Sequence, residues 1–299
     1  MGNVESNAVT RRNFLAGAGA FAGMAAMGLA GCAPTSGSKS KSEFSGSFDA
    51  EYDVIIVGAG IAGLSAAITV ANEGSGEKVL LIDKGASGGF GCSPVCDGWW
   101  LGGKDGVQYP VEYLKACATT PLGQTIPDDV LQAFADGITE NTQWVLNLAP
   151  DLTEDKFEVF NGTFEGAPDK AEWRELDSAA TAKIHLNPDN EYPNNHIYNV
   201  LNEYEKANCA DSVERKNSTP FEDFITDDEG AVIGIVADGK SYKANKGVIM
   251  ACGGYENNPE WMEGYCSVGT SLSRCMGGNT ADGHKAVMKL GADMWHMHN

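Results

Sequence analysis

The sequence predicts an α/β fold, a mainly parallel sheet with flanking helices and a β-hairpin insertion. Three observations carry this reading. Two short, apolar, β-branched runs, residues 52–57 and 78–83, stand on either side of a glycine-rich loop and an alanine-rich helical stretch. A third run of the same kind, residues 246–251, returns late in the chain. Before it, two strand-like runs, 221–226 and 232–237, are joined by Asp227-Asp228-Glu229-Gly230, a hairpin turn by composition. Strands alternating with helices build parallel sheets covered by helices.

Tyr52-Asp53-Val54-Ile55-Ile56-Val57 reads as a strand buried on both faces. It runs directly into Gly58-Ala59-Gly60-Ile61-Ala62-Gly63, and a helix pattern follows over 64–72, stopping near Gly74. Lys78-Val79-Leu80-Leu81-Ile82-Asp83 is a second buried strand, and its terminal acid lies 20 residues beyond Gly63. In such a unit the first glycine allows the tight turn, the second lets main chain approach a pyrophosphate, and the third permits close helix–strand packing. The helix N-terminus favours phosphate, and the acid accepts hydrogen bonds from ribose hydroxyls. A lone glycine turn would explain the loop by itself, but here strand, loop, helix, strand and acid occur in register. Gly58, Ala59, Gly60, Ala62, Gly63, Asp83 and Lys84 are therefore candidate contacts of a dinucleotide held by a Rossmann-like unit.

Behind the acid comes Ser87-Gly88-Gly89-Phe90-Gly91-Cys92-Ser93. A second glycine-rich stretch there lets main chain run beside a pyrophosphate and a flavin, which adds Gly88, Gly89 and Ser93 to the candidates; the alternative is a surface turn. With Ile82-Asp83-Lys84-Gly85 after the first loop, the chain resembles FAD-dependent oxidoreductases of the two-dinucleotide-binding type.

Farther on, residues 194–207 read as an amphipathic helix with Ile197, Val200, Leu201 and Tyr204 at helical spacing. Residues 246–251 are expected as a buried strand entering Cys252-Gly253-Gly254-Tyr255-Glu256-Asn257-Asn258-Pro259. Gly277-Gly278-Asn279-Thr280-Ala281-Asp282-Gly283-His284-Lys285 then precedes a helix over 286–290. In four ordered places the chain resembles the flavoprotein family of fumarate reductase, succinate dehydrogenase and ketosteroid dehydrogenase. These are the glycine loop, the Gly-Gly loop after the acid, an Ala-x-Gly-Gly-[Phe/Tyr]-x-x-Asn segment, and a Thr-Gly-Asp-Gly segment in which Ala281 replaces the usual glycine. The resemblance covers about residues 52–292 and adds Gly253, Gly254, Asp282 and Gly283 as FAD contacts.

The resemblance implies hydride transfer between flavin N5 and a carbon next to an electron-withdrawing group, in a small-molecule substrate such as an unsaturated carboxylate or an enone. A reductase of fumarate reductase type is the leading expectation. A ketosteroid-type dehydrogenase running oxidatively is the rival, and a non-catalytic FAD-binding lipoprotein is the reading from another class. No catalytic residue is assigned. In the family the substrate groups lie past the Asp-Gly segment, so they are expected beyond Asn299, with the chain a fragment or a truncated relative. His284, His296 and His298 are read as incidental, and Trp99, Trp100 and Trp173 as packing residues. Residues 141–192 are expected to be polar and irregular.

The formal net charge of −20 argues against a nucleic-acid partner, because such a surface repels phosphates. Residues 1–32 read as an export signal: Arg11 and Arg12 precede a weakly apolar stretch, 14–30, too short for a durable span. It resembles the twin-arginine signal, with an ordinary secretory signal as the alternative. Leu29-Ala30-Gly31-Cys32 resembles a lipobox, making Cys32 a lipidation site, with an ordinary cleavage site as the alternative. Residues 33–50 are a flexible linker and 51–299 an FAD-binding domain, partial at its C-terminus. The protein is expected on the outer face of the bacterial cytoplasmic membrane, held by lipid alone. Its electrons would come from a separate membrane quinol-linked or haem protein. Without a Cys-x-x-Cys pair, covalent haem and a standard zinc site are disfavoured, and no metal is expected. Cys92-x3-Cys96 is either a redox pair or, the favoured reading, two small buried thiols in a glycine-rich turn.

Overall fold

The computed structural model describes residues 46–95, 100–101, 108–119, 123–149, 153, 157–161, 176–177, 184–188, 196–266, 275–295 and 297. Its contacts separate Met1–Ser42 from Glu43–Asn299, and the fold below is that of the second unit. The signal, Cys32, Cys96, Trp99, Trp173, His296 and His298 lie outside the described residues, as does the side chain of Trp100.

In chain order the elements are β1 (Ala50–Val57), α1 (Ile61–Glu73), β2 (Val79–Ile82), β3 (Trp100–Leu101), α2 (Val111–Ala118), α3 (Asp128–Leu148), β4 (Phe157–Asn161), β5 (Ile184–Pro188), α4 (His196–Asn208), β6 (Val213–Lys216), β7 (Phe221–Thr226), β8 (Val232–Ala237), β9 (Lys240–Met250), α5 (Pro259–Tyr265) and α6 (Asp282–Lys289). The main sheet has six strands in the order β6-β2-β1-β9-β8-β7. The pairs β1–β2, β1–β9 and β2–β6 are parallel, while β8 pairs antiparallel with both β7 and β9. The short strands β3, β5 and β4 form a separate antiparallel sheet in that order.

Two apolar layers enclose the parallel strands. On one face Ile56, Val79 and Leu81 meet Leu64 and Ile68 of α1, Val145 and Leu148 of α3, and Ile197 and Leu201 of α4. On the other, Tyr52, Ile55, Val57, Leu80 and Ile82 pack with Ile235, Ala237, Tyr242 and Ala244 of the antiparallel strands. Every residue of β2 is buried, as its unbroken apolar run requires.

Several expectations need correction. The strand expected at 246–251 is longer, beginning at Lys240, and is not buried throughout: Ile249 is 39% exposed. Its first half alternates, with Tyr242 and Ala244 buried and Ser241 and Lys243 half-buried between them, and there it pairs with both β8 and β1. A register shift opposite Tyr52 and Val54 follows, after which β9 runs on beside β1. The expected hairpin, β7 and β8, is present and joins the main sheet through β9. Residues 141–148 are helical, completing α3. α6 starts at Asp282, ahead of the position expected.

Candidate functional site

In a parallel sheet, ligands bind outside the carboxyl ends of the strands where the strand order reverses. Here β2 and β6 lie on one side of β1 and β9 on the other, so that point falls between β1 and β9. An open cleft sits there, bounded by Val57, Gly58 and Gly60 from β1 and its loop and by Ile82, Asp83 and Lys84 from β2 and the residues after it. Gly89, Phe90, Gly91, Cys92 and Ser93 form another wall, with Ala251, Cys252 and Gly253 behind β9 and Gly278, Asn279 and Asp282 closing the far side. Thr219 and Phe221 complete it next to β7.

Gly58 has φ +105, and a Cβ there would overlap the Ala251 carbonyl, so the turn out of β1 and the approach of β9 both exclude a side chain. α1 begins at once, and a helix leaves its first four N–H groups without intrahelical partners. One of them, Ile61 N–H, donates to Ser93 Oγ at 3.0 Å, which places the second glycine loop against the helix N-terminus. Asp83 is 7% exposed. Its Oδ2 accepts from Ala59 N at 2.8 Å and its Oδ1 from Gly85 N at 2.7 Å, so the acid organises both loops that flank it.

The far wall is joined to β2 by an ion pair. Lys84 Nζ donates to Asp282 Oδ2 at 2.6 Å and to Thr280 Oγ1 at 2.7 Å, and Thr280 Oγ1 donates to Asp282 Oδ1 at 2.8 Å. Burial opposes ionisation of Asp282, yet Lys84 and Thr280 hold its carboxyl below the ordinary aspartate value. Asn279, 3% exposed, binds the late segments together. Its Nδ2 donates to Glu256 Oε2 at 2.9 Å, and its carbonyl accepts from Asn257 N at 2.9 Å. Gly278 N donates to Phe90 O at 2.8 Å and Met276 N to Gly91 O at 3.2 Å, so the second glycine loop and the last segment share a main-chain ladder.

Of the candidates from sequence, Gly58, Gly60, Asp83, Lys84, Gly89, Ser93, Gly253 and Asp282 border the cleft. Ala59, Gly63, Gly88 and Gly283 are buried behind it, Gly254 is half-buried, and Ala62 is exposed. Lys84 bonds to side chains of the far wall. Cys92 is exposed and borders the cleft, which corrects the expectation of a buried thiol; a glycine-rich turn at the rim leaves little to cover it. Burial pushes the Cys252 thiol up, making it a weak nucleophile. His284 packs edge-on against Tyr255 and Trp261, with ring centroids 5.7 Å away in each case. Sequence reasoning missed Thr219, Phe221, Phe90 and Asn279 as wall residues. For Asn279 a signal existed, since it stands between Gly278 and Thr280 inside a segment already singled out.

The FAD binding domain family matches residues 53–299, and the chain belongs to that family. Digoxin reductase of Eggerthella lenta is 29% identical, over 95% of this chain and 55% of the relative. The acrylate reductase flavoprotein subunit of Shewanella woodyi is 26% identical, over 96% of this chain and 55% of the relative. The chain thus spans about half the length of these curated relatives. Among solved structures, 3-ketosteroid-Δ4-(5α)-dehydrogenase of Rhodococcus jostii superposes with a TM-score of 0.66 at 22% identity, covering 85% of this chain and 56% of that one. A flavocytochrome c3 fumarate reductase gives 0.61 at 20% identity, covering 82% and 41%. These likenesses establish the fold.

The cofactor is FAD, and the residues present fit it. Gly58 and Gly60 line the cleft at a helix N-terminus, the arrangement that receives a diphosphate. Each Asp83 oxygen retains capacity for a ribose hydroxyl beside its amide. Among the described residues no cluster of three or more His, Cys, Asp or Glu side chains could hold a metal ion. No described helix is long and apolar enough to cross a membrane.

Proposed function

We propose that this chain is the cofactor-binding part of an exported reductase that adds a hydride to the activated C=C bond of an unsaturated carboxylate or enone. The observation that carries the reading is the convergence of four separated segments, at Gly58, Gly89, Gly253 and Asp282, on one cleft at the strand-order reversal. The relatives support the chemistry: besides digoxin and acrylate reductases, a urocanate reductase of Eggerthella lenta is 25% identical over 83% of this chain and 39% of the relative. FAD supplies the hydride-carrying centre when bound. The chain's own residues orient it. The α1 N-terminus and Gly58–Gly60 receive the diphosphate, Asp83 receives ribose hydroxyls, and the Lys84–Asp282 pair fixes the far wall.

Electrons come from a separate membrane quinol-linked or haem protein, in keeping with a relative named as a flavoprotein subunit. Export by the twin-arginine route and a lipid anchor at Cys32 are part of the same proposal, supported by Arg11-Arg12 and Leu29-Ala30-Gly31-Cys32. The test is an anaerobic assay of the protein as its own cell produces it, with reduced viologen against acrylate, fumarate, urocanate and enone acceptors. Viologen oxidation with at least one acceptor is expected. A flavin-loaded protein inert to all of them would sink the reductase reading, and oxidation of a 3-ketosteroid in a parallel assay with an added dye as electron acceptor would reverse the direction. Palmitate label is expected on the wild type; its retention after Cys32→Ala would contradict the anchor.

A further inference from the structure

A buried polar network lies behind the second glycine loop, outside every segment so far credited with holding FAD. Arg215 of β6 is its centre. Its Nη1 donates to Glu205 Oε2 at 2.7 Å and Asn202 Oδ1 at 2.9 Å, and its Nε donates to Asn217 Oδ1 at 3.3 Å. The side chains of Arg215 and Glu205 are 11% and 3% exposed. A buried ion pair adds little to stability, since desolvation offsets most of its Coulomb gain, so its presence calls for another reason.

The unused nitrogen supplies one. Arg215 Nη2 is buried without a hydrogen-bond partner, and it lies against Gly88, where a Cβ would overlap it. Tyr198 of α4 donates its hydroxyl to Gly88 O at 3.3 Å, and a Cβ at Gly89 would overlap that hydroxyl. Gly88 and Gly89 have φ +77 and +61, and Gly89 is part of the cleft wall.

We propose that Arg215 and Tyr198 are positioning residues for FAD, holding the Gly88–Gly89 turn from behind in the left-handed conformation that forms the cleft wall. Two adjacent glycines have the greatest backbone freedom available to a dipeptide. Without backing they sample many conformations, and binding then bears the entropy of ordering them. Glu205, Asn202 and Asn217 fix the guanidinium so that it meets the turn at one angle. Gly89 borders the same cleft as Gly58 and Gly60, the glycines proposed to receive the diphosphate, so ADP, which carries that diphosphate, senses the wall as FAD does.

The test uses apoprotein, with FAD affinity from flavin fluorescence quenching, ADP affinity from calorimetry and fold stability from urea unfolding. Arg215→Met combined with Glu205→Gln removes both charges and leaves none unpaired. The expected result is a folded protein whose Kd for FAD and for ADP both rise about tenfold, the effect of ordering roughly one more residue on binding. A network that only stabilises the fold would lower the urea midpoint and leave both affinities unchanged, which overturns the proposal. Tyr198→Phe keeps the ion pair and decides the matter if the double variant does not fold. About fivefold weaker binding is expected from the loss of one hydrogen bond, and unchanged binding overturns the proposal. Because Arg215 acts through Gly88, Gly88→Ala and Arg215→Met should combine non-additively on FAD affinity. Strict additivity counts against the proposed contact.

Discussion

Asp83 uses each carboxylate oxygen to hold a backbone amide, Ala59 N–H on one side and Gly85 N–H on the other. Asp83→Asn keeps the shape but turns an amide nitrogen toward one of these donors. It should cost about 1–3 kcal/mol in urea unfolding, the usual penalty for a buried group left unpaired, and weaken FAD binding. Gly58→Ala would combine overlap on Ala251 with a left-handed φ, and a loss of at least ~2 kcal/mol is expected together with loss of bound flavin. Ala281 is a different case. It occupies φ +66 where the family pattern has glycine, and it is fully buried. Relief of backbone strain, ~1 kcal/mol, and loss of a buried methyl, ~0.8 kcal/mol, nearly cancel, so Ala281→Gly should move stability by less than about 0.5 kcal/mol. Thermal unfolding distinguishes these three substitutions.

At the scale of elements, β9 has two environments. Its first half is flanked by β1 and β8, while its second half continues beside β1 with Ile249 39% exposed. Ile68 on α1 is fully buried. Ile68→Ala should therefore cost about 2–5 kcal/mol, and Ile249→Ala under about 1 kcal/mol, both read from urea midpoints. The same contrast explains what was legible. β1, the glycine loop, β2 and the hairpin strands follow local rules, as unbroken apolar runs or turn chemistry, and they stand where the sequence put them within a few residues. α3 was not recognised, although Leu131, Ala135, Ile138, Thr142, Val145 and Leu148 form a helical stripe. Its solvent side carries Val130 and Phe134, 52% and 56% exposed, which blurs the polar face that marks such a helix. Thr219, Tyr198 and Arg215 depend on contacts between distant segments, which no local pattern encodes.

At the scale of the molecule, the cleft is closed by residues from opposite ends of the described domain. Lys84 and Asp282 are 198 positions apart. Asp282 has its pKa lowered in the folded protein, so its contribution is present above the ordinary aspartate value near 3.9 and is lost as pH falls through the lowered folded value. FAD release on acidification, followed by flavin fluorescence, should thus show this pair intact at pH 5 and failing below about 4. Lys84→Ala removes a cause of the lowering, so the release midpoint should move upward. A midpoint that stays in place would mean that the pair does not hold the cleft. Adding FAD at 100 times its Kd should raise stability by about 2.7 kcal/mol, because only the assembled cleft binds it.

The separation between Lys84 and Asp282 also bears on the order of events during synthesis. A chain leaving the ribosome can form β1, the glycine loop and β2 early, but the far wall waits for residues 278–282 to emerge. Closing so long a loop comes late in folding. Capture of the dinucleotide is then the sign that translation has passed this region and that its distant ends have met. For a protein proposed to travel folded, cofactor loading would serve as the molecule's own certificate of readiness for the translocase.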